Sequence, residues 1–70
     1  MPKTKEQDFL IQNMISKLVG YIAEDRNLTT SRALELFFST EFSKKVEDIE
    51  TEYYLEGPDY VYEIFKKYNR

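Results

Sequence analysis

Carboxylates are the reactive side chains that this sequence concentrates most strongly. Residues 46–65 contain seven acidic side chains and no basic one. Grouped carboxylates can ligate a divalent cation, work in pairs as general acid and base, or attract a basic partner. The calcium-loop spacing with its central glycine is missing from Glu47–Glu52. This cluster therefore predicts a solvated acidic face or a partner-binding surface ahead of a metal site.

Catalysis has few groups to use in this chain. The 70 residues contain no histidine, no cysteine and only two glycines. The sequence thus lacks a histidine base, a thiol nucleophile and a glycine-rich phosphate loop. Its serines have no histidine to activate them, and so short a chain barely encloses a sugar-sized cleft between two carboxylates. We predict a protein that is not an enzyme and that uses no metal or other cofactor.

Tyrosines accompany the acidic run and form the second group that suits binding. A tyrosine joins a large apolar ring to a polar tip, and it is enriched at protein interfaces. Adjacent side chains of an extended segment point to opposite faces, so one of Tyr53 and Tyr54 is expected at the surface. The alternative is plain packing of these rings. The predicted partner-binding residues are Glu50, Glu52, Tyr53 and Tyr62.

A long amphipathic helix is the first element that must position these groups. Thr4 and Gln7 have the spacing of a capping box, and apolar residues recur at helical intervals from there to Arg26. Asn27 suits a left-handed stop. We predict residues 1–4 as a disordered lead-in and residues 5–70 as a single helical domain.

The opposite face of this helix carries a line of small residues behind one phenylalanine. A glycine inside a water-exposed helix costs roughly 1 kcal/mol relative to alanine. Two interpretations stay open: a packing seam, for the last helix or for a second copy, and a solvated face that tolerates the glycine. Because so small a chain buries little apolar area, we expect a homodimer, and a well-packed monomer stays open as the alternative. The predicted seam consists of Phe9, Ser16, Gly20 and Ala23.

The elements after the first helix are shorter. Residues 30–48 predict either two helices or one kinked helix, because hydroxyls at Ser39 and Thr40 favour a bend. Residues 49–56 show no helical period, which predicts a short extended segment, and its pairing as a strand with another chain stays open. Gly57-Pro58-Asp59 then begins a last helix.

These elements predict an all-α fold, a compact bundle of three to four helices with a short extended segment before the last. In this bundle the first helix packs across the others and gathers their phenylalanines into one core. The predicted core consists of Leu10, Met14, Leu18, Ile22, Leu34, Phe37, Phe38, Phe42, Val46, Val61, Ile64 and Phe65.

Charge and hydropathy limit the class of partner. The net charge of −3 opposes binding to a phosphate backbone, and no apolar run approaches a membrane span of ~20 residues. Without a signal-peptide pattern, the expected location is the cytoplasm. We predict a non-enzymatic protein–protein interaction module that binds a protein partner or itself. The alternatives are a nucleic-acid-binding regulator of the helix-turn-helix type, reading through its third helix, and a small metal-binding protein.

Three stretches of the chain form a pattern: Ala33-Leu34-Glu35-Leu36-Phe37, Glu47-Asp48 with Glu50-Thr51, and Tyr54-Leu55-Glu56-Gly57-Pro58 followed by Tyr60-Val61. This pattern resembles a group of small uncharacterised bacterial helical proteins that share a domain of unknown function. Members of that group often have serine before the proline, where this chain has Gly57. The resemblance covers roughly residues 10–65. It implies a compact helical domain and assigns no catalytic or ligand-binding residue.

Overall fold

Four α-helices and two single turns of 3-10 helix follow one another in residues 3–68, the part of the chain that the computed structural model describes. The helices are α1 (Lys5–Arg26), α2 (Thr30–Phe38), α3 (Glu41–Glu47) and α4 (Pro58–Tyr68). The turns Ile49–Thr51 and Tyr53–Leu55 lie between α3 and α4. No strand occurs in this part of the chain, and the predicted all-α bundle is confirmed. Half of the predicted lead-in, residues 1–2, lies outside the described residues, as do residues 69–70.

The first helix begins and ends where its sequence predicts. The Thr4 hydroxyl accepts a hydrogen bond from the Gln7 amide at 3.0 Å, and the Gln7 side chain accepts one from the Thr4 amide at 3.0 Å. At the other end Asn27 adopts a left-handed conformation with φ of 54°. The two hydrogen bonds of the capping box and the left-handed residue that ends the helix are therefore both present.

Residues 30–48 form two helices rather than one kinked helix. The Ser39 hydroxyl donates to a carbonyl of α2 at 2.7 Å, and the Thr40 hydroxyl does the same at 2.6 Å. Thr40 then turns to an extended conformation, and its hydroxyl accepts from the amide of Ser43, in the first turn of α3. Short hydroxyl side chains thus end one helix and cap the next.

A single hydrophobic core lies between α1 and the three later helices. Phe65 of α4 lies at its centre, with its ring 6.1 Å from that of Phe37 and 5.9 Å from that of Phe42. Tilted and edge-on aromatic pairs at such distances add stabilisation beyond the buried area. The largest side chains with almost no exposure are Ile11, Leu18, Ile22, Phe37, Phe42, Val46, Val61 and Phe65.

Two residues of the predicted core, Leu34 and Phe38, are at the surface. Leu34 is 42% exposed and Phe38 is 46% exposed. The buried face of α2 belongs to Ala33 and Phe37, and each misplaced residue lies one position, about 100°, beyond one of these. The prediction for Leu34 and Phe38 was therefore wrong by one step around the helix. Ile64 is half-buried and packs against the edge of the core, whereas Leu10 is half-buried outside the core cluster, so its predicted place in the core is wrong.

The segment before α4 is coiled into 3-10 turns, and the predicted extended conformation of residues 49–56 is wrong. Asp48 accepts from the Glu50 amide at 3.0 Å, and the Thr51 hydroxyl donates to the Lys45 carbonyl at 2.6 Å. Glu52, between the two turns, has a left-handed φ of 58°. These local bonds satisfy the backbone without a partner strand. We refer to residues 48–57 as the α3–α4 connection.

Candidate functional site

The acidic residues predicted to bind a partner lie on the α3–α4 connection. Glu50 and Glu52 are exposed, and so is Glu56 at the end of the second turn. Among residues 3–68 the ion pairs are Lys44–Glu41 and Lys66–Glu63, so none of these three carboxylates is paired there. Leu55 lies between Glu52 and Glu56 along the chain and is 60% exposed. The connection thus combines unneutralised charge with one exposed apolar side chain.

Tyr53 belongs partly to this surface and partly to the core. Its side chain is half-buried, and its ring centroid lies 5.3 Å from that of Phe42. The neighbouring Tyr54 is also half-buried, and its hydroxyl accepts from the Gln7 side chain at 3.2 Å. The two tyrosines therefore anchor the connection on α3 and α1, and only their outer edges are open to a partner.

Tyr62 is a core residue, so its predicted place on the partner-binding surface is wrong. It is 9% exposed, and its ring stacks on that of Phe65 at 5.9 Å. Tyr62 directly follows Val61 and lies three residues before Phe65, which puts all three on the side of α4 that faces α1. Its hydroxyl donates to the Asp25 carboxylate at 2.5 Å.

A reciprocal pair of tyrosine–carboxylate hydrogen bonds joins α1 to α4. Tyr62 of α4 donates to Asp25 of α1, and Tyr21 of α1 donates to Asp59 of α4 at 2.6 Å. The two rings lie 5.2 Å apart, and a shallow cleft of about 300 Å³ opens beside them. This arrangement was not predicted from the sequence. The signal that could have indicated it is spacing, since Asp25 lies four positions after Tyr21 and Tyr62 lies three positions after Asp59.

Both tyrosine hydroxyls are held in the neutral, proton-donating state. The hydrogen bond to Asp59 raises the pKa of Tyr21, with burial and the charge of the same carboxylate acting in the same direction. Burial raises the pKa of Tyr62 to about 12, and its hydrogen bond to Asp25 adds to the effect. A phenol with a raised pKa is a poor base and a poor nucleophile at neutral pH. The two hydroxyls therefore act as hydrogen-bond donors that join α1 to α4.

Alkaline titration should show that the stability of the fold depends on the protonation of Tyr62. An unfolded tyrosine loses its proton near pH 10, whereas Tyr62 keeps it to about pH 12. Between these values the unfolded chain binds fewer protons than the folded one, so the stability that this bond provides is complete below about pH 10 and is lost as the pH rises through about 12. We expect the urea midpoint to fall over that range.

The matched variant for this titration is Tyr62→Phe, which keeps the ring and removes the hydroxyl. We expect this variant to lose the phenolate absorbance step near pH 12 and to show a shallower alkaline decline. A residual decline should remain because the pKa of Tyr21 is also raised. An identical decline in both proteins would contradict the assignment to Tyr62.

The basic residues of α3 contact neighbours within the domain. Lys44 lies 3.8 Å from Glu41, and the Lys45 ammonium lies 5.7 Å from the centre of the Tyr68 ring. Phe42, Ser43 and Val46 turn the other side of α3 into the core. The helix-turn-helix hypothesis stays a prediction that no contact described here favours. In residues 3–68 no three carboxylates come together as a metal site.

The predicted seam on α1 is not a contact with the last helix. Phe9 is 69% exposed, Ser16 and Gly20 are exposed, and no heavy atom lies within 4 Å of where a Gly20 side chain would begin. Ala23 differs from the other three because it packs against the edge of the core. Of the interpretations left open by the sequence, contact of Gly20 with α4 is therefore wrong, and contact with a second copy stays a prediction.

Comparison with protein-family models, with curated proteins and with solved structures gives no match for this chain. The resemblance to small bacterial helical proteins therefore stays a prediction. Among the described residues, none of the helices has both the length and the apolar composition that a membrane crossing requires.

Proposed function

We propose that this protein is a non-enzymatic binding module whose α3–α4 connection takes a basic segment of another protein. The observation that carries the proposal is that Leu55 is exposed on the same short connection as the exposed carboxylates of Glu50, Glu52 and Glu56. We further propose a cytoplasmic location, with which the cysteine-free sequence is compatible.

Charge and apolar contact have separate parts in this proposal. Exposed carboxylates attract a basic partner over a distance of about one Debye length, which favours fast and salt-sensitive association. Burying a leucine side chain is worth about 1.5–3 kcal/mol, so Leu55 can supply the affinity that surface charges alone do not. The expected partner segment therefore presents lysine or arginine on either side of an apolar residue.

A defined peptide panel tests this proposal. The probes are short peptides with lysine or arginine around one leucine, together with matched peptides in which glutamate replaces the bases. We expect binding of the basic peptides only, measured by fluorescence anisotropy, with affinity falling as salt rises. Leu55→Ala should weaken it about tenfold, and Glu50→Lys about three- to tenfold at low salt.

Two matched controls lie on α2. Leu34 is an exposed leucine and Glu35 is an exposed glutamate, both outside the α3–α4 connection. Leu34→Ala and Glu35→Lys make the same chemical changes there and should leave peptide binding unchanged. Equal losses from control and test variants, or no preference for basic peptides, would refute the proposal.

A further inference from the structure

α1 presents a long face to solvent on the side away from the core. Leu18 and Ile22 turn the inner side of the helix into the core, where neither is exposed. On the outer side Phe9 projects outward at 69% exposure, and the exposed Ser16 and Gly20 follow along the same line. The surface at Gly20 is open, because beyond its chain neighbours and the nearby backbone of α1 no heavy atom lies within 4 Å of a Cβ atom placed there.

The residues of this face complement one another when a second α1 runs in the opposite direction. Steps of four residues, which keep side chains near one line of a helix, separate Lys5, Phe9 and Asn13. The same steps separate Ser16, Gly20 and Glu24. All six residues are exposed. An antiparallel pairing of two copies then places Lys5 opposite Glu24, Phe9 opposite Gly20, and Asn13 opposite Ser16.

We infer that α1 pairs antiparallel with α1 of a second copy of this chain, with the Phe9 ring of each copy seated on Gly20 of the other. Three features support it independently. The aromatic ring with the highest exposed fraction in residues 3–68 meets the residue without a side chain, opposite charges meet at both ends, and a polar pair lies at the centre. Central polar pairs of this kind fix the register of helix pairs.

Charge and size both disfavour a parallel pairing of the same face. It would place Lys5 beside Lys5 and Glu24 beside Glu24 of the second copy, with the two Phe9 rings together and a gap at Gly20. Antiparallel helices also bring opposite ends of their dipoles together. Between Phe9 and Gly20 this face consists of the uncharged Asn13 and Ser16. It therefore does not suit a strongly basic or acidic partner.

The expected interface is small, and the dimer should be reversible. α1 has 22 residues and is therefore about 33 Å long. One face of such a helix lies at the low end of specific interfaces, at or below about 1,200 Å². We expect sedimentation equilibrium of the full chain, from about 1 µM to 1 mM, to show a monomer–dimer equilibrium.

Two substitutions test the contact between the Phe9 ring and Gly20 of the other copy. Phe9→Ala removes the ring, and Gly20→Leu fills the space that the ring would occupy. Each should weaken dimerisation on the order of 10- to 100-fold, since each change affects both symmetric contacts. Leucine favours helix more than glycine does, so Gly20→Leu should stabilise the monomer while it weakens the dimer. Leu55→Ala, at a residue that is 60% exposed outside α1, should leave the dimer unchanged.

Charge reversal tests the direction of the helices. Lys5→Glu and Glu24→Lys should each weaken the dimer by about 5- to 30-fold at low salt, because each turns two attractive contacts into repulsive ones. Each also suits its own end of the α1 dipole, so the monomer should stay folded. Mixing the two single variants should restore dimers, since the reversed groups at positions 5 and 24 then face opposite charges.

Three results would overturn the inference. They are a monomer throughout the concentration range, a dimer insensitive to Phe9→Ala and Gly20→Leu, and single charge reversals without effect, as a parallel pairing would give. The α3–α4 connection shares no residue with this face. Loss of peptide binding and loss of the dimer can therefore be scored separately.

Discussion

Replacing Phe37 by alanine should strongly lower the free energy of unfolding and the urea midpoint of the protein. Phe37 is fully buried, and its ring lies 6.1 Å from that of Phe65 at the centre of the core. Removing a buried phenylalanine ring costs about 3–5 kcal/mol. A domain of 70 residues has a total stability of roughly 4–10 kcal/mol, so this single change removes a large part of it. Urea unfolding followed by far-ultraviolet circular dichroism measures the loss.

The neighbouring Phe38 is the matched control for this prediction. It has the same side chain in the same helix, but it is 46% exposed. Its ring lies edge-on to Phe37 at 5.3 Å, so Phe38→Ala should cost less than about 1.5 kcal/mol. Equal losses of stability for the two variants would contradict the placement of Phe37 alone in the core.

The contrast between these two residues shows which part of the fold the sequence could predict. α1 is 22 residues long, and its apolar residues select one side over six turns, so its bounds and buried face follow from its period. α2 has nine residues, and at about 100° per residue its five apolar side chains span about 200° of its circumference, which is wider than the face it buries. Its inward face is chosen by what α1 and α4 present to it, which the sequence of α2 does not contain.

The α3–α4 connection was mispredicted for a different reason. Tyrosine and threonine favour extended chain on average, because they pack well on a pleated surface. Here no neighbouring strand exists in the described chain to provide that surface. Asp48 and Thr51 instead bond the backbone locally, and this stabilises two tight turns. The preference of tyrosine and threonine for extended chain depends on a neighbouring strand, and without one it did not determine the conformation of this connection.

The candidate site depended on geometry that spacing alone does not contain. Tyr21 and Asp25 lie on one side of α1, and Asp59 and Tyr62 lie on one side of α4. The placement of each pair on one side of its helix can be predicted from the sequence. The reciprocal bonds require in addition that the start of α4 lies beside the last turns of α1. The intervening chain sets that relative position through many small contacts.

Tyr62→Ala is the second change with a large expected effect on stability. Alanine removes the ring contacts with Tyr21 at 5.2 Å and with Phe65 at 5.9 Å, together with the hydrogen bond to Asp25. We expect a loss of about 2–4 kcal/mol, somewhat below that of a phenylalanine at the centre of the core. Tyr62→Phe should lose only about 1 kcal/mol, because it removes the hydrogen bond and keeps the ring.

Tyr60→Ala provides the control that separates a core residue from a partner-binding one. Tyr60 lies on the same helix and is 58% exposed, so its removal should change stability by less than about 0.5 kcal/mol. If Tyr62 were a surface residue that binds a partner, alanine there would behave like alanine at position 60 in urea and would lower only peptide affinity. Because the Tyr62 ring is packed between α1 and α4, we expect alanine there to lower stability and to leave peptide affinity unchanged. The urea midpoint should fall strongly for Tyr62→Ala, and whatever fraction stays folded should bind the basic peptides with unchanged affinity.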